Sequence, residues 1–83
     1  MTPEQIRESL LDFIASNFIV ERNDIGLDKS LVDEGVIDSL GLTEISAYLV
    51  RAHGIRIEAT EMSRQNFGSV NRIVDFVGRK RAN

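Results

Sequence analysis

Eighty-three residues with a hydrophobic share of 42% are expected to form a single domain over residues 1–83, too apolar for a disordered chain and too short for a second core. The absence of cysteine excludes disulfides and thiolate metal sites and permits a reducing cytoplasm, and one histidine excludes a histidine metal cluster. The net charge of −3 is unevenly spread: residues 21–44 carry seven acids against Arg22 and Lys29, whereas residues 51–83 carry seven bases against three acids. An acidic middle attracts basic partner surfaces and repels nucleic acid. The basic run Arg79-Lys80-Arg81 lacks interleaved aromatics and reads as a solvated helix end. Apolar runs are too short to span a membrane, and no signal-peptide pattern is present.

Thr2-Pro3-Glu4-Gln5 reads as a helix start, with Thr2 as cap, Pro3 in the first turn and Gln5 completing a capping box. Ile6, Leu10, Phe13 and Ile14 then form a helical stripe, with Leu11 beside it, running to about Asn17. Residues 18–37 hold no period. Their scattered apolar residues (Ile19, Ile25, Leu27, Leu31, Val32, Val36, Ile37) predict an ordered loop pinned on the core. From Ser39, the positions Leu42, Ile45, Leu49 and Ala52 give one helical face that stops at Gly54, with Leu40 and Tyr48 flanking it. His53 at this helix end reads as a partner of the helix dipole.

Ile55, Ile57 and Ala59 alternate with polar residues, but one short run without a partner strand supports only an extended connector. Thr60 can cap a short helical turn through Met62, a core gap-filler, and Arg64, closing at Phe67-Gly68. Ser69 caps a last helix with Val70, Ile73, Val74 and Val77 on one face. The expected fold is all-α: a small four-helix bundle of three main helices and one short one, with a long first loop.

The chemistry concentrates in Gly35-Val36-Ile37-Asp38-Ser39-Leu40-Gly41-Leu42. Asp and Ser are helix-capping types, so Ser39 can be read simply as a cap whose removal costs about 1 kcal/mol. On that reading the chain is a non-catalytic helical protein-interaction module. Ser39 can also be read as an exposed hydroxyl at a positive helix end, where an attached phosphate is favoured. A hydrolase using Ser39 lacks a base, since His53 lies roughly four helical turns further on.

With that stretch and the helical contexts on both sides, the sequence resembles an acyl carrier protein over essentially its whole length. Leu31-Val32-Asp33-Glu34-Gly35-Val36-Ile37-Asp38-Ser39-Leu40 carries the resemblance. It implies that Ser39 bears a 4′-phosphopantetheine arm taken from coenzyme A, and that Asp38 helps position the transferase and its magnesium. It also implies that Leu40, Gly41 and Leu42 lie where partner enzymes dock, with Glu44 a further contact. The implied partners are a phosphopantetheinyl transferase, an acyl- or aminoacyl-activating ligase and downstream acyl-transfer enzymes. A cytoplasmic monomer without catalytic residues or bound metal is expected. Fatty-acid carriers commonly have an acid after Asp-Ser-Leu and a glutamate-rich second helix, whereas this chain has Gly41 and Glu44 followed by Val50, Arg51 and Ala52. The run Asp38-Ser39-Leu40-Gly41 and the segment 63–73, with Phe67 and Asn71-Arg72-Ile73, are similar to D-alanyl and other aminoacyl carriers.

Overall fold

The computed structural model describes residues 1–82. Four α-helices follow in order: α1 (Pro3–Asn17), α2 (Ser39–His53), α3 (Arg64–Phe67) and α4 (Val70–Ala82). Single 3₁₀ turns lie at Arg22–Asp24 and Ala59–Glu61, and no strand forms among the described residues. Among the described residues, no helix is long and apolar enough to cross a membrane.

α1 starts as its sequence dictates. The Thr2 hydroxyl accepts from the Gln5 amide at 3.2 Å, and the Gln5 carboxamide oxygen accepts from the Thr2 amide at 2.8 Å. Two otherwise orphaned donors are thereby satisfied. The helix buries Ile6, Leu10, Leu11 and Ile14 and packs chiefly on α4. In α4, Val70, Ile73, Val74, Phe76 and Val77 are all buried, and the buried Ser69 accepts the Arg72 amide at 3.2 Å. Phe76 meets Phe67 of α3 with ring centroids 5.2 Å apart, which makes the α3–α4 corner the aromatic centre of the core.

The long loop is ordered, though fewer residues anchor it than expected. Ile25, Leu31 and Ile37 are buried, and Val36 packs against the core. Ile19, Leu27 and Val32 are exposed, Ile19 fully so. The backbone explains the difference. The Leu31 amide donates to Gly68 O at 3.1 Å, while Leu31 O accepts from the amides of Val36 and Ile37. A turn this tight, closed by Gly35 at φ +75°, cannot send neighbours such as Leu31 and Val32 to the same side. Arg22 further ties the loop to α1 through the carboxylates of Glu8 and Asp12.

α2 buries Gly41, Ile45, Leu49 and His53, a step of four residues. The expected face is thus rotated: Leu42 is half-buried and Ala52 is exposed. Gly54 ends the helix at φ +64°. Tyr48 stacks on Phe13 with centroids 4.3 Å apart, and its hydroxyl meets that of Ser9.

His53 corrects its sequence reading. It is buried and uncharged, with Nδ1 facing the Arg81 guanidinium at 3.3 Å, which makes that nitrogen the acceptor. Burial foremost, and Arg81 second, hold its pKa below the ordinary imidazole value. The unfolded chain therefore binds this proton first, and stability is lost as the pH falls below about 6.5. The melting temperature is expected to fall between about pH 7 and about pH 5.5. His53→Gln removes most of that slope; an unchanged slope contradicts the assignment. Asp33 and Glu61, whose carboxyls are held below their usual range by Arg64 and by the Glu58 amide with Lys80, titrate outside this window.

The third helix also begins elsewhere than expected. The Glu61 side chain accepts the Glu58 amide at 2.8 Å and closes the 3₁₀ turn with Thr60 inside it. Ser63, not Thr60, caps α3, accepting the Asn66 amide at 3.3 Å.

Candidate functional site

The predicted site residues cluster at the start of α2. Asp38 is the N-cap, and its Oδ1 accepts the Gly41 amide at 2.8 Å. Asp38 O also accepts the Leu42 amide at 3.1 Å, the first intrahelical bond. Ser39 is the first helical residue, not the cap. Its side chain is exposed, and its hydroxyl makes no hydrogen bond among the described residues. Its carbonyl accepts from the Thr43 hydroxyl at 3.3 Å.

Around Ser39, Leu40 stands 74% exposed and Glu44 is on the surface. Leu42 turns inward. Gly41 is buried, although it lines the same open groove as Ser39, Leu40 and Glu44. A cavity of about 210 Å³ opens beside Ser39 between the loop, α2 and α3, bounded by Val32, Leu42, Met62 and Phe67. Its rim is fixed by Arg64, whose guanidinium grips Asp33 through both carboxylate oxygens at 3.1 and 3.2 Å. Such a bidentate pair is geometrically specific, although its exposure limits its contribution to stability.

The arrangement holds no base hydrogen-bonded to the Ser39 hydroxyl among the described residues, the neighbouring Asp38 carboxylate being engaged by the Gly41 amide. It fits a phosphodiester. An anion on the Ser39 oxygen would stand at the positive end of a 15-residue helix, in water and open to a partner. The Asp38 carboxylate offsets part of that field, although solvent screens the repulsion.

Residues 8–77 match the family model described as the phosphopantetheine attachment site. The chain belongs to that family. Among curated proteins it is similar to the D-alanyl carrier protein of Streptococcus uberis, 33% identical over 72 residues, and that of Streptococcus sanguinis, 31% identical over 72 residues. Each alignment covers 87% of this chain and 90% of the relative. Among solved structures, an acyl carrier protein from Enterococcus faecalis superposes with a TM-score of 0.78, covering 96% of this chain and 99% of that one at 20% identity. That likeness establishes the shared four-helix fold.

The protein is therefore a carrier, and 4′-phosphopantetheine is its covalent cofactor. The arm's terminal thiol supplies the chemistry by holding an acyl group as a thioester. Partner enzymes attach the arm and load it; the carrier itself catalyses nothing. Sequence reasoning missed the exposed Ile19 and Val32 beside the site, having assigned both to the core. Only the loop's backbone turns reveal them.

Proposed function

We propose that Ser39 is the attachment residue and that this carrier holds an aminoacyl group. One observation carries the first part: Asp38 fills the capping role, leaving the Ser39 hydroxyl exposed and unengaged. An exposed serine with no structural bond is free for modification. The interaction-module reading needs Ser39 as the cap and loses its support. Asp38 engages the helix through Oδ1. That leaves its exposed carboxylate able to help place the transferase's magnesium, while Leu40 and Glu44 offer a partner an apolar knob and an acid.

The names of the similar D-alanyl carriers support an aminoacyl cargo. So does the start of α2, whose sole acid after Asp38 is Glu44. On this reading the chain is one carrier domain over residues 1–83, a cytoplasmic monomer. It is served by a phosphopantetheinyl transferase, an amino-acid-activating ligase and a downstream acyl-transfer enzyme. The test is to offer the phosphopantetheinylated carrier, with ATP, to a D-alanine-activating ligase and separately to a fatty-acyl carrier ligase. Intact mass is expected to show a D-alanyl thioester, released by hydroxylamine, and at least ten-fold slower fatty acylation. Preferential fatty acylation overturns the aminoacyl reading.

A further inference from the structure

Gly41 is the residue at which this chain departs from an acidic second-helix entry, and the structure gives it a packing reason. A Cβ built at Gly41 would lie 2.9 Å from Ile37 Cβ and 3.0 Å from Phe18 Cε1. The first distance is shorter than real Cβ atoms show and the second is tight, so that the Phe18 ring must give by a few tenths of an ångström; the nearer atom is Ile37's own Cβ, which cannot swing away without moving the backbone.

The missing side chain therefore lets two separate segments close on the first turn of α2. One is the end of α1: Phe18 rests against Gly41 and meets Phe13 edge-on at 6.4 Å, and Phe13 in turn stacks on Tyr48 of α2. The other is the loop's last turn, where Ile37 is 6% exposed and its amide is bonded to Leu31 O at 3.2 Å. Ser39 lies on the chain midway between Ile37 and Gly41. Among the described residues its hydroxyl makes no hydrogen bond that would orient it, so its placement is inherited from the backbone around it.

We infer that Gly41 is a positioning residue for Ser39: by lacking a side chain it admits Phe18 and Ile37, and this contact fixes the direction in which the serine-bearing turn faces a docked transferase. The inference rests on the reading of Ser39 as attachment site and adds a determinant that touches neither arm nor partner. Any side chain at position 41, acidic ones included, displaces the loop from α2.

The test compares steady-state transfer of phosphopantetheine from coenzyme A, with magnesium and a broad-specificity transferase, to the wild type, Gly41→Ala, Phe18→Leu and Val74→Ala. Val74 is buried in α4, lines neither groove that Ser39 borders, and serves as a destabilised control. Gly41→Ala is expected to lower kcat at least ten-fold with KM for the carrier within two-fold, and Phe18→Leu about three-fold, while Val74→Ala leaves kcat unchanged. Should Gly41→Ala fail to fold, Phe18→Leu against Val74→Ala decides by the same comparison. Wild-type kcat in the folded Gly41→Ala and Phe18→Leu variants overturns the inference, as does an equal fall in Val74→Ala or a loss carried by KM alone. Failure of the underlying reading looks different: the wild type gains no arm, or Ser39→Ala still does.

Discussion

Ser39→Ala is expected to fold as the wild type does and to accept no phosphopantetheine. The expectation has two halves with separate physical origins. Loading requires an oxygen nucleophile at the helix start, and alanine offers none, so loss of the mass gain should be complete. Stability should barely change, because the cap is Asp38 and its bond to the Gly41 amide survives the substitution. Alanine at an exposed first-turn position is a good helix former, so the change should stay within about 0.5 kcal/mol. Were Ser39 the cap, its removal would cost about 1 kcal/mol. Thermal melts and intact mass on the same samples read both halves. A destabilised variant that still gains the arm would contradict the assignment on both counts.

The second large effect lies in the core. Phe76→Ala removes a 2% exposed ring that packs against Phe67 at the α3–α4 corner. Truncating such a ring costs about 3–5 kcal/mol through lost burial and the cavity left behind. A chain of this size sits near the low end of the roughly 5–15 kcal/mol typical of folded domains, so most of its stability is at stake. Each kcal/mol moves the midpoint of a small domain by about 4–8 °C, so the melting temperature should drop by at least about 12 °C. A shift below about 5 °C would mean that the ring contributes far less than its burial implies. Because α3 borders the cavity beside Ser39, the variant should also loosen that wall of the site.

The parts of this fold that were legible in the sequence are those set by local chemistry. The Thr2–Gln5 box, the stop at Gly54 and the start of α2 at Ser39 each follow from side chains within a few residues of the backbone they bond. The family stretch around Ser39 was legible for the same reason, being contiguous. Features set by distant packing were not. Gly41 looks like a surface position until Phe18, 23 residues earlier, closes over it. His53 looks like a charged helix end until Arg81, from the far end of the chain, faces its ring. Phe76 lies three residues after Ile73, within the same helical stripe, but the narrower valine-rich stripe described α4 without it. Thr60 and Ser63 are both competent caps. The choice between them turned on the Glu61 side chain, which closes the preceding turn and is held by Lys80 of α4. The exposure of Ile19 and Val32 depended on where loop amides found their acceptors, which hydropathy alone does not encode.

The central claim is most directly tested by locating the arm. The wild-type protein, incubated with coenzyme A, magnesium and a broad-specificity transferase, is digested with trypsin and the fragments are sequenced by mass spectrometry. Cleavage after Lys29 and Arg51 yields a peptide of residues 30–51 that contains Ser30, Ser39 and Ser46. The predicted result is a single phosphopantetheine on that peptide, with fragment masses placing it on Ser39. An arm on Ser30 or Ser46, or a folded protein that gains none, would contradict the account.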